Sequence, residues 1–177
     1  MKNLKLKYFL PVVITIVFVI FFSQLLKKDV TKLSSQLIEK PVPTFNMPTL
    51  LNDNQSFSTI DVITSDIALV NIWSSWCIPC RSEHEILMLL SKIEGIDLYG
   101  INYKDKEDNA LDFINKLGNP FKKIGVDNNG RSSMVWGVYG VPETFIIHKG
   151  TVIYKHIGPI HMNELEGIIL PILGDIL

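Results

Sequence analysis

The sequence predicts a mixed-sheet α/β domain carried behind one apolar N-terminal segment. Three observations predict it. Short β-branched runs alternate with stretches of helical spacing between residues 67 and 126, two strand-like runs flank Lys149-Gly150, and residues 8–26 hold no charge. The 177 residues, 47% hydrophobic with only two cysteines, suit one domain of ordinary size and exclude collagen-like, disordered and disulfide-stapled chains. A net charge of -1 provides no basic footprint for nucleic acid. That average hides two parts. Residues 1–40 carry seven lysines against Asp29 and Glu39, a balance of +5, so the rest of the chain is acidic at -6.

The elements follow in order. From Tyr8 to Leu26, 15 of 19 positions are Tyr, Phe, Leu, Val or Ile, long enough as a helix to cross a hydrocarbon core of roughly 30 Å. Lys2, Lys5 and Lys7 precede the run, and Lys27, Lys28 and Lys32 follow it. The positive-inside bias toward a cytoplasmic N-terminus (residues 1–7) is therefore shallow. A cleaved signal peptide needs a small-x-small site, and the run leads instead into Ser23-Gln24-Leu25-Leu26-Lys27-Lys28, so an uncleaved transmembrane anchor over 8–26 is the better reading. Residues 27–40 read as a polar stalk, and the domain occupies 41–177.

Within it, Ser58 to Ser65 is ambiguous between strand and helix. Ile67 to Trp73 is a buried strand by length and composition. Cys80 to Ile93 follows with Ile86, Leu87, Leu89, Leu90 and Ile93 at helical spacing. Ile96 to Tyr103 reads as a strand, Glu107 to Leu117 as an amphipathic helix closed by Gly118-Asn119-Pro120, Lys123 to Val126 as a short strand, and Asp127 to Gly130 as a turn. Strands separated by helices imply parallel pairing. Thr144 to His148 and Thr151 to His156 read as an antiparallel hairpin, and Asn163 to Leu173 as a closing helix.

The chemistry sits at one join. Cys77 and Cys80, spaced C-x-x-C, fall where a strand runs into the N-terminal end of a helix, and there unpaired N–H groups and the dipole favour an anion. A thiolate is such an anion, so Cys77 is expected to have a lowered pKa and to attack, with Cys80 resolving the mixed disulfide. Zinc would need two more ligands, and His84, His148, His156 and His161 do not supply a second pair at finger spacing. A purely structural disulfide across a two-residue loop would constrain the unfolded chain very little. Copper delivery through the two thiolates is a rival from another class, as is a non-catalytic tether that leaves the cysteine placement unexplained.

Trp76-Cys77-Ile78-Pro79-Cys80-Arg81 after a Val-Asn-Ile-Trp strand resembles the active site of a thioredoxin-fold protein. Gly137-Val138-Tyr139-Gly140-Val141-Pro142-Glu143-Thr144-Phe145 is similar to the loop that carries a cis-proline in that fold. The resemblance implies that Val141 presents its backbone to an extended substrate segment beside Pro142. With Gly100-Ile101-Asn102-Tyr103-Lys104-Asp105, Gly118-Asn119-Pro120-Phe121 and the Lys149 to Gly158 hairpin, the chain more narrowly resembles the membrane-anchored DsbE/CcmG family of bacterial cytochrome c maturation. The alternative that the same motifs resemble is a general envelope thiol reductant of the ResA or TlpA type.

That resemblance implies a thioredoxin-like fold and a periplasmic domain on a single-pass inner-membrane anchor. It implies a reductant of apocytochrome c haem-attachment cysteines, or of the assembly protein that holds them. Electrons would come from a membrane carrier of the DsbD/CcdA kind. Pro79 before the resolving cysteine also resembles the reducing thioredoxin type. Exchange at sulfur requires no cofactor and no metal. Where thioredoxin has a buried Asp that helps move the resolving cysteine's proton, this chain has Asn71, which cannot titrate. Glu83, one turn past Cys80, and Glu143, after the proline, are the candidates for that proton, against a plain reading of both as solvated glutamates. Trp73 is expected in the core, and Trp76 as a partly exposed wall beside Cys77. The four histidines are expected at the surface, and Tyr103 to Asp108 as a solvated loop and helix start.

Overall fold

The computed structural model describes residues 3–26, 37–51 and 55–177, and within the first stretch it describes side chains from Phe9 to Ser23. The chain divides into two units, Met1–Ser34 and Ser35–Leu177. The first contains helix α1 (Asn3–Leu26), whose described side chains are all exposed. Among the described residues no helix is long and apolar enough to cross a membrane. The expected stalk lies outside the described residues up to position 36. Its end is tied to the domain, where Glu39 N–H donates to Val152 O at 2.8 Å and Val152 N–H to Lys40 O at 2.9 Å.

In the second unit the elements are β1 (Asn46–Pro48), β2 (Ser56–Ser58), α2 (Thr59–Ile63), β3 (Ile67–Trp73), α3 (Ile78–Leu90), β4 (Ile96–Tyr103) and α4 (Glu107–Leu117). They continue with β5 (Lys123–Asp127), α5 (Arg131–Val135), β6 (Glu143–His148) and β7 (Thr151–Ile157). The chain closes on α6 (Met162–Glu164), a π-helical segment (Leu165–Ile169) and α7 (Leu170–Gly174). Among the described residues the main sheet has the order β5-β4-β3-β6-β7, with β1 and β2 forming a separate antiparallel pair. β3 pairs in parallel with β4, and β4 with β5. β6 runs antiparallel to both β3 and β7. The expected α/β mixed sheet is therefore present, with the parallel half built through helical crossovers.

The central strand explains the layering. All seven residues of β3 are buried, as a strand covered on both faces requires. Leu69 and Trp73 point into a core with Leu87 and Leu90 of α3 and Phe113 of α4. Ala68, Val70 and Ile72 point the other way, into a core with Phe57, Trp136 and Phe145.

Three local features depart from the expectation. The ambiguous 58–65 stretch is a β2 residue followed by α2, which starts on a capping box: Asp61 Oδ2 accepts from Ser58 N–H at 2.8 Å. The expected turn after Asp127 is present, and α5 follows it over residues where no element was expected, because Asp127 accepts Ser133 N–H and Oγ, both at 2.7 Å, and satisfies its first turn. The closing helix widens into a π turn before Pro171, whose missing N–H removes the i→i−4 bond to Gly167.

Candidate active site

β3 ends at Trp73, the chain turns through Ser74–Cys77 with Cys77 N–H donating to Ser74 O at 3.2 Å, and α3 begins at Ile78. Cys77 is the N-cap of α3, and its Sγ accepts from Cys80 N–H at 3.1 Å. Pro79, exposed in the first turn, lacks the N–H that would be an orphan there in any case. The sulfur of Cys77 thus occupies the position a Ser or Asp side chain takes at an ordinary N-cap, where negative charge is favoured. Cys77 and Cys80 are joined by a disulfide with Cα atoms 5.3 Å apart.

Both cysteines are buried, 4% and 2% exposed, below a rim of exposed apolar side chains that includes Trp76 and Ile78. Trp73 lies in the core and Trp76 is exposed, as the alternation predicted. Among the described residues no group of three or more His, Cys, Asp or Glu side chains could hold a metal ion.

The proline loop meets this turn at the same end of the sheet. Ile72 of β3 pairs with Glu143 of β6, so the residues just before Glu143 lie beside the end of β3. The Val141–Pro142 bond there is cis. Among the described residues, neither N–H nor C=O of Val141 takes part in a backbone hydrogen bond.

Both glutamates are buried, which overturns the solvated reading. Glu83 Oε1 accepts from Asn71 Nδ2 at 2.9 Å, and its Oε2 accepts from Ile160 N–H at 3.0 Å. Burial nevertheless pushes its carboxyl up to about 7, against the pull of those two donors. Glu83 follows Cys80 by three residues on α3, and both face the interior. Asn71 Nδ2 also donates to Thr144 Oγ1 at 2.9 Å, linking Glu83 to β6, while Asn71 Oδ1 has no partner.

Glu143 is engaged differently. Its Oε1 accepts from Tyr139 N–H at 2.9 Å and Gly140 N–H at 3.3 Å, and its Oε2 lies 2.8 Å from Lys155 Nζ as an ion pair without hydrogen-bond geometry. Lys155 donates to Gly137 O at 2.8 Å and lies over the Tyr139 ring at 4.4 Å. The pair therefore holds the turn that leads into Val141, a role that sequence reasoning did not give to Lys155.

One further expectation fails. His84 is buried, with Nε2 3.0 Å from Gly118 O and its ring edge-on to Phe113. Burial first, and the nearby Arg81 guanidinium after it, hold its pKa below the ordinary imidazole range against the raising pull of the Gly118 and Leu117 carbonyls. The Tyr103 to Asp108 stretch is the expected exposed loop and helix start, with α4 beginning at Glu107, but its loop is also tied to the cysteine turn, because Asp105 accepts Ser75 N–H at 2.5 Å and Trp76 Nε1 donates to Lys104 O at 3.1 Å.

Comparison with known proteins agrees with this geometry. Residues 38–169 match the Redoxin family model. A thiol:disulfide interchange protein DsbE of Yersinia pestis is 37% identical over 93% of this chain and 90% of its own. The interchange protein CycY of Rhizobium leguminosarum is 45% identical over 60% of this chain, and the match spans 59% of that protein's length. The crystal structure of a DsbF homologue from Corynebacterium diphtheriae superposes with a TM-score of 0.63 over 75% of this chain and 86% of its own, at 24% identity. The chain thus belongs to the Redoxin family, among the thiol:disulfide interchange proteins of the DsbE type.

Proposed function

We propose that the protein is a membrane-anchored reductant. Its reduced Cys77/Cys80 pair opens a disulfide between the haem-attachment cysteines of apocytochrome c, or in the assembly protein that holds them. The observation that carries the reading is the seat of Cys77 Sγ as the N-cap acceptor of a 13-residue helix. Cys77 thiolate attacks one substrate sulfur, and the other substrate sulfur leaves as thiolate. Cys80 then attacks Cys77 Sγ, the second substrate thiolate leaves, and the Cys77–Cys80 disulfide remains. Two electrons pass to the substrate in each cycle, and a dithiol donor of the DsbD/CcdA kind returns them.

The unpaired backbone of Val141 beside Pro142 gives an extended substrate segment a strand edge to pair with. Trp76 walls that approach. Glu83, poised near neutral pH and one turn past Cys80 on the same helix, is the group to receive the Cys80 proton, since Glu143 is held as an ion pair 2.8 Å from Lys155 Nζ.

The anchor rests on two supports. The side chains from Phe9 to Ser23 are exposed and almost wholly apolar, which calls for an apolar surrounding. The match to the Yersinia pestis protein covers 93% of this chain, more than residues 1–7 and 27–177 together make up. The basic flank at the N-terminus and the proposed reducing role favour a domain on the periplasmic side of the inner membrane.

Cys80→Ser is expected to accumulate mixed disulfides through Cys77 in cells, because the resolving thiol is gone. Recovery of apocytochrome c or a cytochrome-assembly thiol protein from those adducts supports the reading. A broad set of unrelated envelope proteins would replace it with a general ResA/TlpA-type reductant.

A further inference from the structure

The register of β3 against β4 ends at the pair Trp73 and Asn102, and beyond that point side chains take over the work of the ladder. Three consecutive residues after β3 are held by three consecutive residues of the β4 exit. Ser74 Oγ donates to Tyr103 O, and Ser75 is held by Asp105. Trp76 Nε1 donates to Lys104 O.

Asp105 is the centre of this contact. Its Oδ2 accepts from Ser75 N–H at 2.5 Å and Asn102 Nδ2 at 3.0 Å, and its Oδ1 accepts from Ser75 Oγ at 2.7 Å and Lys106 N–H at 2.8 Å. Four donors fill an acceptor-only group, so the carboxylate is fixed in place and fixes Ser75 in turn. Lys104 adopts φ 45°, a left-handed conformation that a non-glycine residue takes only at a cost, and its carbonyl is the one that Trp76 reaches.

We propose that Asp105 is a positioning residue for the interchange. It grips Ser75, two residues before Cys77, so that Sγ stays on the α3 N-terminus when the disulfide is opened and no covalent bond to Cys80 holds it there. The proposal rests on the reading of Cys77 as the attacking thiol. A thiolate gains from the α3 N–H groups only while it is aimed at them, and Cys77 reaches that position through the Ser74–Cys77 turn. With the grip lost, the turn is free to swing, the thiolate forfeits part of that field and its proton is held more tightly.

The test uses the reduced full-length chain in detergent and reads the rate of Cys77 alkylation by iodoacetamide across pH. Exchange of the unaltered protein with oxidised glutathione is measured in the same series. In Asp105→Ala the midpoint is expected to rise by about one pH unit, with an approximately tenfold slower rate at pH 7 and an unchanged rate at high pH. Asp105→Asn keeps an acceptor for Ser75 N–H and a donor for Ser75 Oγ and gives up the Lys106 N–H bond, which does not reach the cysteine turn, so it should stay within about threefold of the unaltered protein. Ser75→Ala loses one of the two links and is expected to shift the midpoint the same way by less, which keeps the test decisive if Asp105→Ala does not fold.

A midpoint that is unmoved in Asp105→Ala and Ser75→Ala overturns the proposal. So does one that falls in Asp105→Ala, or one that moves equally in the Ala and Asn variants, since each would assign the effect to the carboxylate's charge or to nothing. Failure of the unaltered protein to exchange with glutathione would strike instead at the role of Cys77.

Discussion

Replacing Lys155 by Met is expected to cost the protein about 3–5 kcal/mol of stability at neutral pH, because it leaves a buried carboxylate without its counter-charge. Both side chains of the Lys155–Glu143 pair are 1% exposed, so solvent cannot take over for the missing ammonium. The loss also removes the donor to Gly137 O and the cation above the Tyr139 ring, both in the turn that Glu143 holds from the other side. A Lys155→Met, Glu143→Gln double variant should recover more than half of the loss. Gln keeps an oxygen for the Tyr139 and Gly140 N–H groups and carries no charge to be desolvated. Urea unfolding of the four proteins of this cycle decides the matter. A single variant that loses less than about 1 kcal/mol would mean that the pair behaves as a solvated surface bridge.

The second large effect is a pH dependence set by Glu83. Its carboxyl lies at about 7 in the folded protein against an ordinary value of 4.5, so between those values the folded chain binds a proton that the unfolded chain has released. Stability from this group is complete below 4.5 and falls as pH rises through about 7, by about 3 kcal/mol in total. Glu83→Gln should flatten that slope. The amide can be accommodated because Asn71 Oδ1 has no partner: turning the Asn71 amide over lets it accept from the new Nε2. The difference between the unfolding free energies of the two proteins from pH 5 to 8 isolates Glu83. The same variant tests the proton route, since the resolving step should lose its dependence on pH near neutrality. If it keeps that dependence, the Cys80 proton goes elsewhere.

How much of this was readable in advance differs from residue to residue. Ile67–Trp73, Ile96–Tyr103 and Glu107–Leu117 match the expected elements end to end, because each is long enough for period and composition to agree. α5 and the β1–β2 pair escaped because five- and three-residue elements carry no period; the first is fixed by the Asp127 side chain just before it and the second by the pairing of its two strands. The placement of both cysteines at a helix start was legible from the strand-to-helix join.

The burial of Glu83 and His84 was legible too but went unread. Cys80, Glu83, His84, Leu87 and Leu90 fall on one face of α3 at the spacing that buries a helix. Polar character argued for solvent and spacing argued for the core, and spacing won because Ile160 N–H and the Gly118 carbonyl were there to satisfy them. Lys155 was not legible. β7 carries one extra residue opposite Ile146 and Ile147, and this bulge shifts the parity so that Val152 and Lys155 are both buried. An alternation count along the sequence cannot see that shift. The grip of Asp105 on Ser75 joins residues 30 apart and has no local signature either.

The account stands on Cys77 being held as a ready thiolate at the head of α3. Titrating it in the reduced full-length protein, by the pH dependence of its alkylation with the modified residue identified by mass, tests this most directly. The account predicts a midpoint at or below about 7.5, with Cys77 modified well before Cys80. A midpoint at the free-thiol value of about 8.5, with both cysteines reacting alike, would contradict it.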